Sequence, residues 1–177
     1  MFYGGRLLSH LSADDDEVSE FIQLRALNRN VAIIMDSDRE NAHKGINDTK
    51  RRIQREFAQH GGVAWLTKGR EIENYVDHSE LQRAVAAVYG TRYARPAAGG
   101  NYDHALYFYG VEKRNRKELR GKVSLVKSVD KVKVAREVAL AQANLGMSDL
   151  RQRIWEIVGL IHGANDMAPV GPTKRGG

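Results

Sequence analysis

Two pairs of carboxylates stand at the spacing that hard metal ions use: Asp36 with Asp38, and Glu71 with Glu73, each pair separated by one residue. The first pair closes the stretch VAIIMDSDR at 31–39, five apolar residues running straight into acid. Side chains alternate along a strand, so Asp36 and Asp38 can point to one side with Ser37 between them. Carboxylates held that close repel unless a cation lies between them, which points to magnesium or manganese. A turn or a helix N-cap is the competing use of two Asp residues after an apolar run. The second pair lies in KGREIENY, directly after the apolar run VAWLT. If that loop is extended, Glu71 and Glu73 share a side, and only one of them need reach a metal. Magnesium takes one or two protein carboxylates and fills its other positions with water and phosphate oxygens. Two such ions orient a water and stabilise a leaving oxygen, the chemistry of phosphodiester hydrolysis.

The elements that must position these groups follow from hydrophobic periodicity. The uninterrupted run at 31–35 predicts a strand buried on both faces, as in a parallel sheet. Carboxyl ends of such strands are where open α/β sheets place ligands. A helix is predicted at 47–60, with Ile53 and Phe57 as its buried i, i+4 pair and Lys50, Arg51, Arg52 and Arg55 on an exposed face. That basic face is either solvated or available to phosphates. Gly61 and Gly62 stop the helix, and a second strand is predicted at 63–67. Strand, helix, strand, helix in this order predicts a parallel sheet with right-handed crossovers, and brings Asp36, Asp38 and the Glu71/Glu73 pair to one rim. A helix at 80–89, capped by Asp77 or Ser79, buries Leu81, Ala84, Val85 and Val88.

Before this core, MFYGG reads as the end of a strand, and residues 6–27 hold an amphipathic helix. Its acidic cluster Asp14, Asp15, Asp16 and Glu17 is explained by a helix N-terminus rather than a second metal site. After it, 91–101 contains Pro96, Gly99 and Gly100 and reads as a loop or insertion, while 102–110 fits strand or helix equally. Residues 113–122 carry Lys113, Arg114, Arg116, Lys117, Arg120 and Lys122, a density suited to phosphate contact or to a solvated loop. A last short strand is expected at 123–126, then helices at 130–144 and 148–162, with Trp155 assigned to packing. The organisation expected is an α/β core at 1–90, a loop or insertion at 91–126, a helical region at 127–164 and a disordered tail at 165–177.

Composition narrows the function classes. The 177 residues, 42% hydrophobic and 28% charged, suit one soluble domain with a proper core. The absence of cysteine excludes disulfides and thiolate metal sites and suits a reducing cytosol. No apolar run is long enough to span a membrane, and no signal peptide is visible. A net charge of +6 suits a polyanionic partner.

VAIIMDSDR, a helix, then VAWLTKGREIENY resembles the Toprim domain of the OLD-family (overcoming lysogenization defect) ATP-dependent endonucleases. The later DKVKVAREVAL and DLRQRIWEIVGLIHGAN segments also resemble that family's carboxyl-terminal region. The resemblance covers most of the chain and is weakest over 91–126. It implies a Toprim-like (Rossmann-like) α/β fold, a parallel sheet flanked by helices with a carboxyl-terminal helical region. The activity implied is that of a Mg2+- or Mn2+-dependent nuclease cutting or nicking DNA. By that resemblance Asp36, Asp38 and Glu73 are metal ligands. A lysine, Lys131 or alternatively Lys127 or Lys133, stabilises charge on the scissile phosphate. Lys50, Arg51, Lys113, Arg114, Arg116 and Lys117 are the expected DNA contacts. Partners are DNA and an ATPase domain, with a homodimer left open. The family's opening Glu-Gly acidic motif and the phosphate loop G-x-x-x-x-G-K-[ST] are not found. The chain is therefore expected to be a carboxyl-terminal fragment of such an enzyme, with impaired activity alone.

Two rivals accompany this reading. A degenerate nucleic-acid-binding or assembly module would keep the basic stretches without catalysis. A haloacid-dehalogenase-like phosphatase also uses Asp-x-Asp after an apolar strand. That motif continues with Thr or Val two residues past the second Asp, where this chain has Glu40.

Overall fold

The computed structural model describes residues 30–60, 62–111 and 122–168. The predicted strand at the start, the 6–27 helix with Asp14–Asp16, most of the basic stretch including Lys113, Arg114, Arg116 and Lys117, and the tail beyond Ala168 lie outside them. The described chain is mixed α/β, with a two-stranded parallel sheet, a three-stranded antiparallel sheet and four α-helices. It divides into two compact units, broken at Ser37/Asp38, Ala42/His43, Lys68/Gly69 and Ser148/Asp149.

The first unit holds β1 (Ala32–Met35), α1 (Asp48–His60), β2 (Val63–Leu66) and, from the far end of the chain, α4 (Leu150–Ala164). β1 and β2 pair in parallel, Ala32 opposite Val63 through Met35 opposite Leu66. The expected β-α-β crossover is therefore present, and Met35, Ile53, Phe57 and Leu66 form its core. β1 differs from the expectation of burial on both faces. Met35 is buried, but Ile34 on the other face is 48% exposed. Both α1 and α4 pack on β2, which is why Trp65 and Leu66 are covered while half of β1 is not. Lys50 also departs from its predicted exposed face and is only 9% exposed. It falls on the same helical stripe as Ile53 and Phe57, three and seven residues on, so α1 turns it inward. In α4, Arg153 donates to Asp149 and Glu156, both at 3.0 Å, tying down the first turn.

The second unit is built on α2 (His78–Tyr89), the sheet β3 (Tyr93–Pro96), β4 (Phe108–Val111) and β5 (Val123–Val126), and α3 (Lys131–Val138). The sheet order is β3-β4-β5, antiparallel throughout. Asp77 caps α2 as the sequence indicated, accepting the Ser79 and Glu80 amides. Leu81, Ala84 and Val85 of α2, Val134 of α3 and Phe108 of β4 form the core, with the Tyr89 and Tyr93 rings against Phe108. Gln82, buried among them, donates to the carbonyls of Ala105 and Tyr107 and accepts from the Tyr93 hydroxyl. Every polar end of that side chain is thus satisfied. Gly110 faces the same core, where a Cβ would come within 2.8 Å of Val126.

Two expectations are corrected here. The 91–101 stretch is not wholly loop: Tyr93–Pro96 is an edge strand, the one place in a sheet where Pro96 is tolerated. The helix expected to reach residue 144 ends at Val138. Beyond it the chain leaves helical geometry, with Leu140 82% exposed.

Candidate functional site

The rim of the parallel sheet continues past β1 and β2 by side-chain bonding. Thr67 donates its amide to the Met35 carbonyl, and its hydroxyl oxygen accepts the Ser37 amide at 2.8 Å. Burial alternates as a strand would have it, Met35 and Ser37 inside, Asp36 half-buried, Asp38 exposed. Strand geometry does not persist through Asp38, whose φ of 55° is left-handed, a conformation Asp tolerates better than most residues. The extended backbone expected through both Asp residues therefore ends before Asp38. Ser37 ends the first segment of the first unit, and Asp38 begins the second unit. There the Asp38 amide donates to the Arg70 carbonyl at 2.9 Å, tying Asp38 to the GREIENY loop.

That loop separates its two glutamates by function. Gly69 lets it approach the 101–104 segment, since a Cβ there would lie 2.7 Å from the Asn101 carbonyl oxygen, and the Arg70 amide donates to that same oxygen. Residues 72–75 then form a single 3-10 turn, Ile72–Tyr75, whose Asn74 side chain accepts the Glu71 amide and donates to the Asp103 carbonyl. Glu71 faces the neighbouring segment: Oε1 accepts the Ala105 amide at 2.9 Å and Oε2 lies 3.3 Å from Nδ1 of His104. Glu71 is a clasp.

Glu73 is placed differently. Its Oε1 lies 2.6 Å from the ammonium of Lys131, and its Oε2 is buried with no hydrogen-bond partner. Lys131 is delivered there by the start of α3. The Asp130 amide donates to the Tyr89 hydroxyl at 3.0 Å, and the Asp130 carboxylate accepts the Lys133 amide as the helix cap. That hydrogen bond, followed by the Lys133 ammonium, holds the Asp130 carboxyl below the usual aspartate range. Among the three candidate lysines, Lys133 pairs with Asp130 and Lys131 meets Glu73.

Compared with protein-family models, with curated proteins and with solved structures, the chain matches none.

The structure therefore brings Glu73 and Lys131 together, 58 positions apart in the chain, and fastens Asp38 by its backbone to the loop that carries Glu73. Lys50 is buried, and Arg51 sits on α1 paired with Asp48 at 3.2 Å. Among the described residues no group of three or more His, Cys, Asp or Glu side chains is gathered as a ligand set. The donor chemistry nonetheless fits a hard divalent cation. A buried carboxylate oxygen without a partner is an unmet demand for positive charge, and one or two protein carboxylates suffice for magnesium. His104, 3.3 Å from Glu71 and stacked on Tyr107 at 4.3 Å, belongs to the same clasp and is not singled out by sequence. The sequence signal was the Glu71-x-x-Asn74 spacing, which fixes the turn that aims Glu71 at it.

Proposed function

We propose that this chain is a metal-dependent DNA nuclease domain of Toprim-like type, hydrolysing phosphodiester bonds. The observation that carries the reading is the pairing of Glu73 with Lys131, the glutamate keeping one buried oxygen unspent. Asp38 and Glu73, both of the second unit, would hold Mg2+ or Mn2+. Such a cation, when bound, supplies Lewis acidity and a water of lowered pKa. In the hydrolysis a water oxygen bonds to phosphorus, the bond to the leaving sugar oxygen breaks, and that oxygen takes up a proton. Lys131 contributes an ammonium held beside the site by Glu73, where it stabilises negative charge building on a non-bridging phosphate oxygen. The exposed Arg51 on α1 and the basic 113–117 stretch would track the DNA backbone. The same reading places the chain in the cytosol, with an ATPase domain and a second copy of the chain as further partners. No helix among the described residues is long and apolar enough to cross a membrane.

One observation favours the second reading, a binding module without catalysis: the Lys131 ammonium already satisfies half of Glu73. A plasmid-nicking assay with Mg2+ or Mn2+ separates the two. Nicking that Glu73→Gln abolishes supports the nuclease. Salt-dependent DNA binding with no nicking, unchanged by Asp36→Ala, supports the binding module.

A further inference from the structure

The outer face of the antiparallel sheet carries chemistry that neither the core nor the Glu73 site uses. Tyr93 stacks inward on Phe108, so by simple alternation Arg95 would point inward as well. A register shift between Tyr93 and Arg95 prevents this. The extra residue moves Arg95 to the solvent side, opposite Tyr109, as β-bulges do. There its guanidinium lies 3.7 Å from the centre of the Tyr109 ring. Tyr109 is paired in turn with Leu125, and Val111 with Val123. Leu125 and Val123 are 40% and 46% exposed. The face is thus an aromatic ring covered by a planar cation and flanked by open aliphatic side chains.

Its charge selects the occupant. None of the three strands contains an acidic residue, and the exposed Lys122 and Lys127 bracket β5. A flat face with a stacked aromatic and guanidinium suits unpaired bases, which present their π-faces, and the lysines suit the phosphates between them. In a duplex those π-faces are already stacked on one another. We propose that the outer face of β3-β4-β5, centred on Arg95 and Tyr109, is a binding platform for single-stranded nucleic acid. The proposal rests on the nucleic-acid reading above for the class of partner only.

The test uses the full chain in EDTA, so that no cleavage intervenes, with fluorescence anisotropy of a short labelled oligothymidylate. The wild type is expected to bind it more tightly than a duplex of equal length, with affinity falling as salt rises. Tyr109→Phe keeps the ring and should bind within about twofold of wild type. Tyr109→Leu removes the ring that holds the Arg95 guanidinium flat for stacking and should weaken binding about tenfold or more, the scale of one lost stack. Arg95→Glu, at an exposed edge, should weaken it at least as much, and decides the matter alone if Tyr109→Leu does not fold. Unchanged affinity in Arg95→Glu, a preference for duplex, or no binding by the wild type overturns the proposal. Such a failure leaves metal-dependent nicking untouched, and a failure to nick leaves this binding untouched.

Discussion

Replacing Lys131 with Met separates a structural ion pair from a functional one. The pair is short, 2.6 Å, but the lysine side chain is 62% exposed while Glu73 is 15% exposed. Water can therefore replace much of what the ammonium provides, and a pair of this kind contributes about 1 kcal/mol or less. For a chain of this length that corresponds to a fall in Tm of about 2–4 °C. Catalysis answers on a different scale. A fixed positive group at a site of developing charge is worth about 100- to 1000-fold in rate. Lys131→Met should thus melt within a few degrees of wild type by scanning fluorimetry, yet nick supercoiled plasmid at least about 100-fold more slowly at saturating Mn2+. Lys133→Met, which breaks only the pair with Asp130 on the same helix, should nick at the wild-type rate. The reasoning is refuted if Lys131→Met nicks normally, or if its loss of rate merely follows a collapse in Tm.

Further predictions follow from the clasp, the cap and the core. Glu71→Ala leaves the Ala105 amide, on a residue 3% exposed, without its acceptor, so chemical denaturation should show a loss of about 1–3 kcal/mol. Glu71→Gln retains that acceptor and should restore most of the stability. Asp77 is held below the usual aspartate range, first by the Ser79 hydroxyl and then by the Glu80 and Ser79 amides. Its folded value lies beneath its unfolded one, so its contribution is complete above the unfolded value, about 3.9, and fades as pH falls through the folded one. Asp77→Asn should flatten stability across that acid window while leaving the cap in place at neutral pH, a difference that acid titration followed by circular dichroism will show. Phe108→Ala, emptying the fully buried centre of the second unit, should cost about 3–5 kcal/mol.

What was legible in the sequence was whatever one strong local signal controls. Ile53 and Phe57 announced the buried stripe of α1, Asp77 the start of α2, and two short apolar runs the parallel pair. The same stripe logic, applied three residues further, would have turned Lys50 inward. Its charge argued the other way, and packing prevailed. β3 was hidden because Pro96 and the glycines after it are breakers everywhere except at a sheet edge, and edge status is decided by partners far along the chain. The end of α3 is not legible because 139–144 are good helix formers by propensity, yet the chain leaves helical geometry after Val138. At the site, spacing alone leaves the two glutamates of GREIENY equivalent, and the resemblance singles out Glu73. The turn Ile72–Tyr75 separates them physically, sending Glu71 to Ala105 and His104 and Glu73 to Lys131.

If Glu73 offers its unspent oxygen to a divalent cation, as proposed, the Lys131 ammonium on its other oxygen competes with that cation. Direct Mn2+ binding, followed by the loss of the free-ion electron paramagnetic resonance signal, tests it. The wild type should bind Mn2+, Glu73→Gln should lose that binding, and Lys131→Met should bind more tightly although it nicks more slowly. Equal Mn2+ affinity in the wild type and Glu73→Gln would contradict the account.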